Sequence, residues 1–176
     1  MTGENLEAKC SNIRVVITDV DGVLTDGGMY YSEKGDELKK FNVRDGVGVA
    51  LFKAVGIQVG IMTGESLDSI RRRAQKLDLD FVFEGITDKA ECLEKFLEER
   101  KLPPEQVAYI GDEINDLPLI GKVGLFLAPA DACKEIRDKA DEVLEVRGGE
   151  GVLRGAAGVI LGYQGKLEEA VLNYFL

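Results

Sequence analysis

The chain contains no histidine. That excludes a Ser-His-Asp or Cys-His nucleophile, a His-ligated zinc and a histidine general base, so any acid–base work falls to carboxylates, lysine or tyrosine. Cysteine is scarce: Cys10, Cys92 and Cys133 are odd in number and far apart, with no Cys-x-x-Cys spacing. They read as reduced thiols of a cytoplasmic protein, not a disulfide frame or a zinc site. Positive charge is also short, 22 Lys and Arg against 32 Asp and Glu, for a net charge of −10. Nucleic acid and anionic membranes call for a basic surface, so neither is expected as a partner. A phosphorylated small molecule is not excluded, because a local pocket can be positive on an acidic protein. No apolar run is long enough to cross a bilayer, and the polar opening residues show no signal peptide. The 176 residues suit one full core and therefore one domain.

What is present begins at residues 13–17, an apolar run that leads into Asp19, Asp21 and Gly22. Alternation along a strand would send both aspartates off its carboxyl end in the same direction. Two carboxylates that close repel, and a hard divalent cation is the usual reason to place them together. Gly22 lets the chain turn sharply over the strand end.

Strands are expected at 57–62, 80–83, 107–110, 125–127 and 142–144, and helices at 45–55, 66–77, 89–100, 115–123 and 132–140. Between the first strand and the first of these helices, residues 27–41 read as a β-hairpin whose polar turn is Glu33-Lys34-Gly35-Asp36. Such alternation implies an α/β fold, a three-layer Rossmann-like parallel sheet flanked by helices, with a hairpin insertion after strand one. Residues 1–12 read as a polar tail, 13–146 as the catalytic domain, and 147–176 as a Gly-rich joint followed by a helical tail.

Three more strand ends carry suitable chemistry. Thr63-Gly64 offers a hydroxyl and a backbone N–H to a phosphoryl oxygen. Lys89 opens a helix after Thr87-Asp88. Gly111-Asp112 is followed by Glu113 and Asp116. Each has a plainer reading as a turn, a solubilising lysine or an N-cap. In order, the four pieces resemble the haloacid dehalogenase superfamily of phosphotransferases over nearly the whole chain. The resemblance implies that Asp19 is the nucleophile and that Asp21 protonates the leaving alkoxide and then deprotonates water. It places Mg2+ on the Asp19 and Asp112 carboxylates and the Asp21 carbonyl. Thr63 and Lys89 would clamp the phosphoryl group, with Asp116 orienting Lys89 or metal-bound water and Glu113 in the shell behind the metal. Asp21 needs a raised pKa to act as an acid near neutrality, and an apolar hairpin over it is expected to supply that.

No segment is long enough for a cap domain. The runs TDGGMYY, KKFNVRDGVG, MTGE, GDEINDLP and RGGEGVLR resemble the capless phosphatases of 2-keto-3-deoxy sugar acids, which include the 3-deoxy-D-manno-octulosonate 8-phosphate phosphatases and relatives acting on nine-carbon 9-phosphates. That resemblance implies a phosphorylated sugar-acid substrate and a homotetramer with packed hairpins. It also implies that the tail around Gly148 and Gly149 reaches a neighbouring site. Arg44 lies in a segment like that of the octulosonate enzymes, whereas Glu65, Arg73 and Lys76 resemble the set that reads nine-carbon substrates. Arg73 and Lys76 also have the plainer reading of a solvated helix face. Two departures stand out, Glu113 where an aspartate is common and Gly155 where relatives often carry glutamate. A non-catalytic oligomerisation module and a phosphomutase are the competing readings.

Overall fold

The computed structural model describes residues 3–35 and 37–174. Asp36 of the expected turn, and the last two residues of the expected tail, lie outside them. Six parallel strands form one sheet in the order β5-β4-β1-β6-β7-β8, from β1 (Val15–Thr18), β4 (Gln58–Met62), β5 (Phe81–Phe83), β6 (Val107–Ile110), β7 (Leu125–Ala128) and β8 (Glu142–Val143). Side chains alternate between faces as the pleat requires. Val16, Ala108, Ile110, Leu125 and Leu127 enter one core, while Val15, Ile17, Val107, Tyr109 and Phe126 enter the other.

Helices cover both faces. On the first lie α1 (Gly3–Asn12), α2 (Arg44–Ala54), α3 (Asp68–Lys76), α6 (Val152–Tyr163) and α7 (Leu167–Tyr174). On the second lie α4 (Lys89–Arg100), the short α5 (Lys134–Arg137) and a 3₁₀ segment, Ile114–Leu119. The chain winds outward from β1 through β4 to β5, then returns to the other side of β1 with β6. The point where the direction of winding reverses lies between β1 and β6, and such points are where open α/β sheets bind ligands.

Two sequence expectations need correction. The supposed loose tail is helix α1: Leu6 and Cys10, one turn apart, are buried together with Ile13, and Gln164 donates to the carbonyls of Cys10 at 2.8 Å and Ile13 at 3.1 Å. The expected Gly-rich joint does lead into helices, α6 and, through Tyr174, α7. Helix α6 buries Val152, Leu153, Ala156, Ala157, Ile160 and Leu161 completely and packs on α2. The helix expected at 115–123 is shortened to a 3₁₀ segment, because Pro118 lacks the N–H that an α-helix needs there. The hairpin has two short strands, β2 (Tyr30–Tyr31) and β3 (Glu37–Leu38), closed at its base by a bridge between Thr25 and Phe41.

Candidate active site

Strand β1 ends at Thr18, so both aspartates lie in the loop beyond it. They do not act as neighbours on one strand face: each engages a different lysine. Asp19 is buried; its Oδ1 accepts from the Val20 N–H at 2.7 Å and its Oδ2 from Lys89 Nζ at 2.6 Å. Asp21 is about one-third exposed, and its Oδ1 accepts from Lys39 Nζ at 2.6 Å and from the Thr25 hydroxyl at 3.3 Å. The hairpin therefore sets a buried ammonium, not the expected apolar face, against Asp21. Thr25 also accepts from the Gly22 and Gly27 N–H groups, which holds the loop closed.

Lys89 is the first residue of α4, whose start is fixed by Asp88 accepting from the Glu91 N–H at 2.9 Å. Its ammonium is buried between Asp19 and Asp116, 2.7 Å from Asp116 Oδ1. Burial disfavours that charge, but the two carboxylates outweigh it and hold the Lys89 pKa above the usual lysine value. Asp116 is fully buried, and each of its oxygens is engaged. Oδ1 also accepts from the Tyr109 hydroxyl at 2.8 Å, and Oδ2 accepts from the Asp112 N–H at 3.1 Å. Sequence reasoning overlooked Tyr109 and Lys39. Tyr109 lies in an apolar strand and Lys39 in a hairpin expected to shield Asp21 with apolar side chains, so neither position signals a polar contact in the site.

The carboxylates of Asp19, Asp112 and Asp116 place oxygens within 4.8 Å of one another. Burial, with Asp116 beside it, raises the Asp19 pKa to about 6 despite Lys89. Burial, with Asp19 and Asp116, raises that of Asp112 to about 8. Oδ1 of Asp112 is buried and has no hydrogen-bond partner among the described residues. Three carboxylates around one ammonium leave negative charge uncompensated, and hard oxygen donors suit a hard cation. The donor set and the orphaned oxygen therefore fit a divalent ion held by Asp19 and Asp112. Asp116, fully buried and accepting from Lys89, Tyr109 and the Asp112 N–H, serves these groups from behind.

Thr63 follows β4, buried, with its hydroxyl accepting from the Glu65 N–H at 3.2 Å. Gly64 and Glu65 are exposed beside it. Glu113 is exposed and caps its own loop, accepting from the Ile114 N–H at 2.7 Å. Arg73 is engaged within the chain: it donates to the Asn42 carbonyl and its guanidinium lies 5.6 Å from the centre of the Phe41 ring. Lys76, on the same helix, is exposed, as is Arg44 at the start of α2. Gly148 and Gly149 lie against the β1 loop of their own chain. The Gly149 N–H donates to the Val23 carbonyl at 3.0 Å, and a Cβ on Gly148 would fall 2.1 Å from the Gly22 carbonyl oxygen. Gly155 lies on α6 beside Val146.

Residues 38–124 match the family model of haloacid dehalogenase-like hydrolases. The chain is 42% identical over 163 residues to the 3-deoxy-D-manno-octulosonate 8-phosphate phosphatase of Escherichia coli K12, covering 93% of this chain and 87% of that one. Among solved structures, the corresponding phosphatase of Yersinia pestis is 40% identical with a TM-score of 0.90, over 94% of this chain and 89% of that one. The Moraxella catarrhalis enzyme, in complex with a magnesium ion, a phosphate ion and KDO, is 30% identical with a TM-score of 0.93 over 99% of both chains.

Proposed function

The chain belongs to the haloacid dehalogenase-like hydrolases and is a phosphatase, and from that premise we propose that it hydrolyses 3-deoxy-D-manno-octulosonate 8-phosphate through an aspartyl-phosphate on Asp19. The observation that carries the reading is the buried Asp19–Lys89–Asp116 array beside the orphaned oxygen of Asp112. The resemblance of sequence and fold to octulosonate phosphatases supports the substrate.

In the first step an Asp19 carboxylate oxygen attacks phosphorus and the bond to the substrate's C8 oxygen breaks. Asp21 delivers its proton to that oxygen as it leaves. In the second step water attacks the same phosphorus, its proton passes to Asp21, and the Asp19–phosphorus bond breaks to release phosphate. A dianionic ester resists a carboxylate, so the site must cancel charge. Lys89 and the Thr63 hydroxyl would hold phosphoryl oxygens, with the N–H of Gly64 beside them. Mg2+ bound to the Asp19 and Asp112 carboxylates and the Asp21 carbonyl would supply Lewis-acid neutralisation. Asp116 would keep Lys89 aimed at the phosphoryl site. Water is the acceptor in preference to a second sugar, because no cap domain is found among the described residues to exclude water from the site.

Glu65 favours a second reading. It stands exposed at the rim, next to Thr63, where a carboxylate would accept from substrate hydroxyls, and Lys76 is on the helix that follows. This set supports a nine-carbon 9-phosphate. Arg73 is tied to Asn42 and Phe41, which suits it to shaping the rim more than to reaching substrate. Self-association, as the homotetramer expected from the resemblance requires, is supported by the exposed hairpin side chains Met29, Tyr30, Tyr31 and Leu38, an apolar surface of the kind that seeks cover.

Phosphate release, measured with and without magnesium on octulosonate 8-phosphate and on nine-carbon 9-phosphates, tests the reading. Magnesium-dependent turnover favouring the eight-carbon ester is expected, with none from Asp19→Asn. A preference for nine carbons would transfer the assignment to the Glu65 set. A folded oligomer inactive on every ester would make the chain a non-catalytic module.

A further inference from the structure

The Lys39 side chain is wholly removed from solvent although it sits on a surface hairpin. Its ammonium has two acidic neighbours, Asp21 Oδ1 at 2.6 Å and Glu37 Oε1 at 3.7 Å. Residues 37, 39 and 41 fall on one face of the hairpin strand and 38 and 40 on the other. The outward set behaves accordingly: Leu38 is exposed, and Lys40 pairs at the surface with Asp26. The backbone holds Lys39 on both sides, through the pairing of Leu38 with Tyr30 and the bridge from Phe41 to Thr25. Thr25 itself donates to Asp21, so two contacts from one hairpin base converge on a single carboxylate.

Burying an ammonium is costly, and an apolar side chain would serve a purely structural role equally well. An acid–base carboxylate has a stricter need. Asp21 must first point at the leaving oxygen and then at water, and misplacement of about 1 Å can cost on the order of a hundredfold in rate. We propose that Lys39 is a positioning residue of the reaction, fixing the Asp21 side chain and making its aim depend on the closed hairpin. This rests on the reading of Asp21 as the acid–base group and extends it to a residue outside the four strand ends.

The test compares Lys39→Met, Lys39→Arg and Asp21→Asn in the full chain, with magnesium, on octulosonate 8-phosphate. Lys39→Met should lower kcat about tenfold or more with KM within about twofold, and Lys39→Arg should restore most of the loss. p-Nitrophenyl phosphate supplies a second readout. Its leaving group departs as nitrophenolate and needs no proton, so first-turnover release of nitrophenolate by Lys39→Met should stay within about threefold of the parent. A Lys39→Met enzyme with unchanged kcat, a loss confined to KM, or an equal first-turnover loss on both esters overturns the proposal. So does Lys39→Arg no better than Lys39→Met. Asp21→Asn separates the two claims: an active Asp21→Asn enzyme sinks the acid–base reading itself. An inactive one beside an unimpaired Lys39→Met removes only the role of Lys39.

Discussion

The Asp112 carboxylate occupies the space in which Gly22 lacks a side chain: a Cβ on Gly22 would lie 1.9 Å from Asp112 Oδ2. Gly22 also holds φ at +75°, where a Cβ is strained. The turn after β1 and the carboxylate after β6 therefore share one volume. Gly22→Ala should destabilise the protein by about 2 kcal/mol or more and weaken magnesium binding, because Asp112 must move. Urea denaturation and magnesium titration of the variant check both. Wild-type magnesium affinity in Gly22→Ala would refute the shared volume.

Asp112 is costly to ionise without a cation, its pKa being raised to about 8 by burial and by Asp19 and Asp116. At pH 9 with chelator present, Asp112→Asn should melt above the parent protein while having no phosphatase activity. Adding magnesium should reverse the order, since the ion binds the parent and stabilises it by mass action. Melting curves of both proteins with and without magnesium decide this.

Asp45, at the start of α2, tests pH dependence away from the metal donors. It is buried, one oxygen accepts from the Leu153 N–H at 3.0 Å, and burial raises its pKa to about 6, against the pull of Arg73. The folded state then binds a proton more tightly than the unfolded chain, whose carboxyl keeps the ordinary aspartate value of 3.8. Relative to Asp45→Asn, the parent should therefore lose stability as pH rises from about 4 to about 6, by on the order of 2 to 3 kcal/mol, and level off above. Denaturant midpoints of the two proteins across that range should diverge in this direction. Parallel curves would show that Asp45 does not set the slope.

Leu38 and Tyr31 are 60% and 66% exposed on the hairpin. If hairpins pack together in an oligomer, Leu38→Asp should shift the protein to smaller species in sedimentation equilibrium, without changing its far-ultraviolet circular dichroism. An unchanged mass would place the assembly surface elsewhere.

The sheet and most of the site could be read in the sequence because they lie where patterns are strongest. Apolar runs such as 107–110 end at once in Gly111-Asp112, and a parallel sheet gathers such ends on one rim. Helix α1 escaped notice because its buried stripe is only Leu6 and Cys10 in a polar segment, and what makes it a helix is α6, far along the chain. Asp21 and Lys39 met the same difficulty. Alternation along residues 37–41 separates Lys39 from Lys40, but it does not say which carboxylate waits on the inner side. The Arg73 contact with Asn42 depends likewise on how α3 meets the hairpin, a tertiary matter that helical spacing does not report.

Helix α6 follows Asp19, Thr63, Lys89 and Asp112 in the chain, yet it covers α2 and, through Gln164, ties down the end of α1. During synthesis these residues of the candidate site thus leave the ribosome before their supporting wall exists. Until α6 emerges, Val49, Phe52 and Ile13 lack part of their cover, and the nascent protein presents the sticky surface that chaperones recognise.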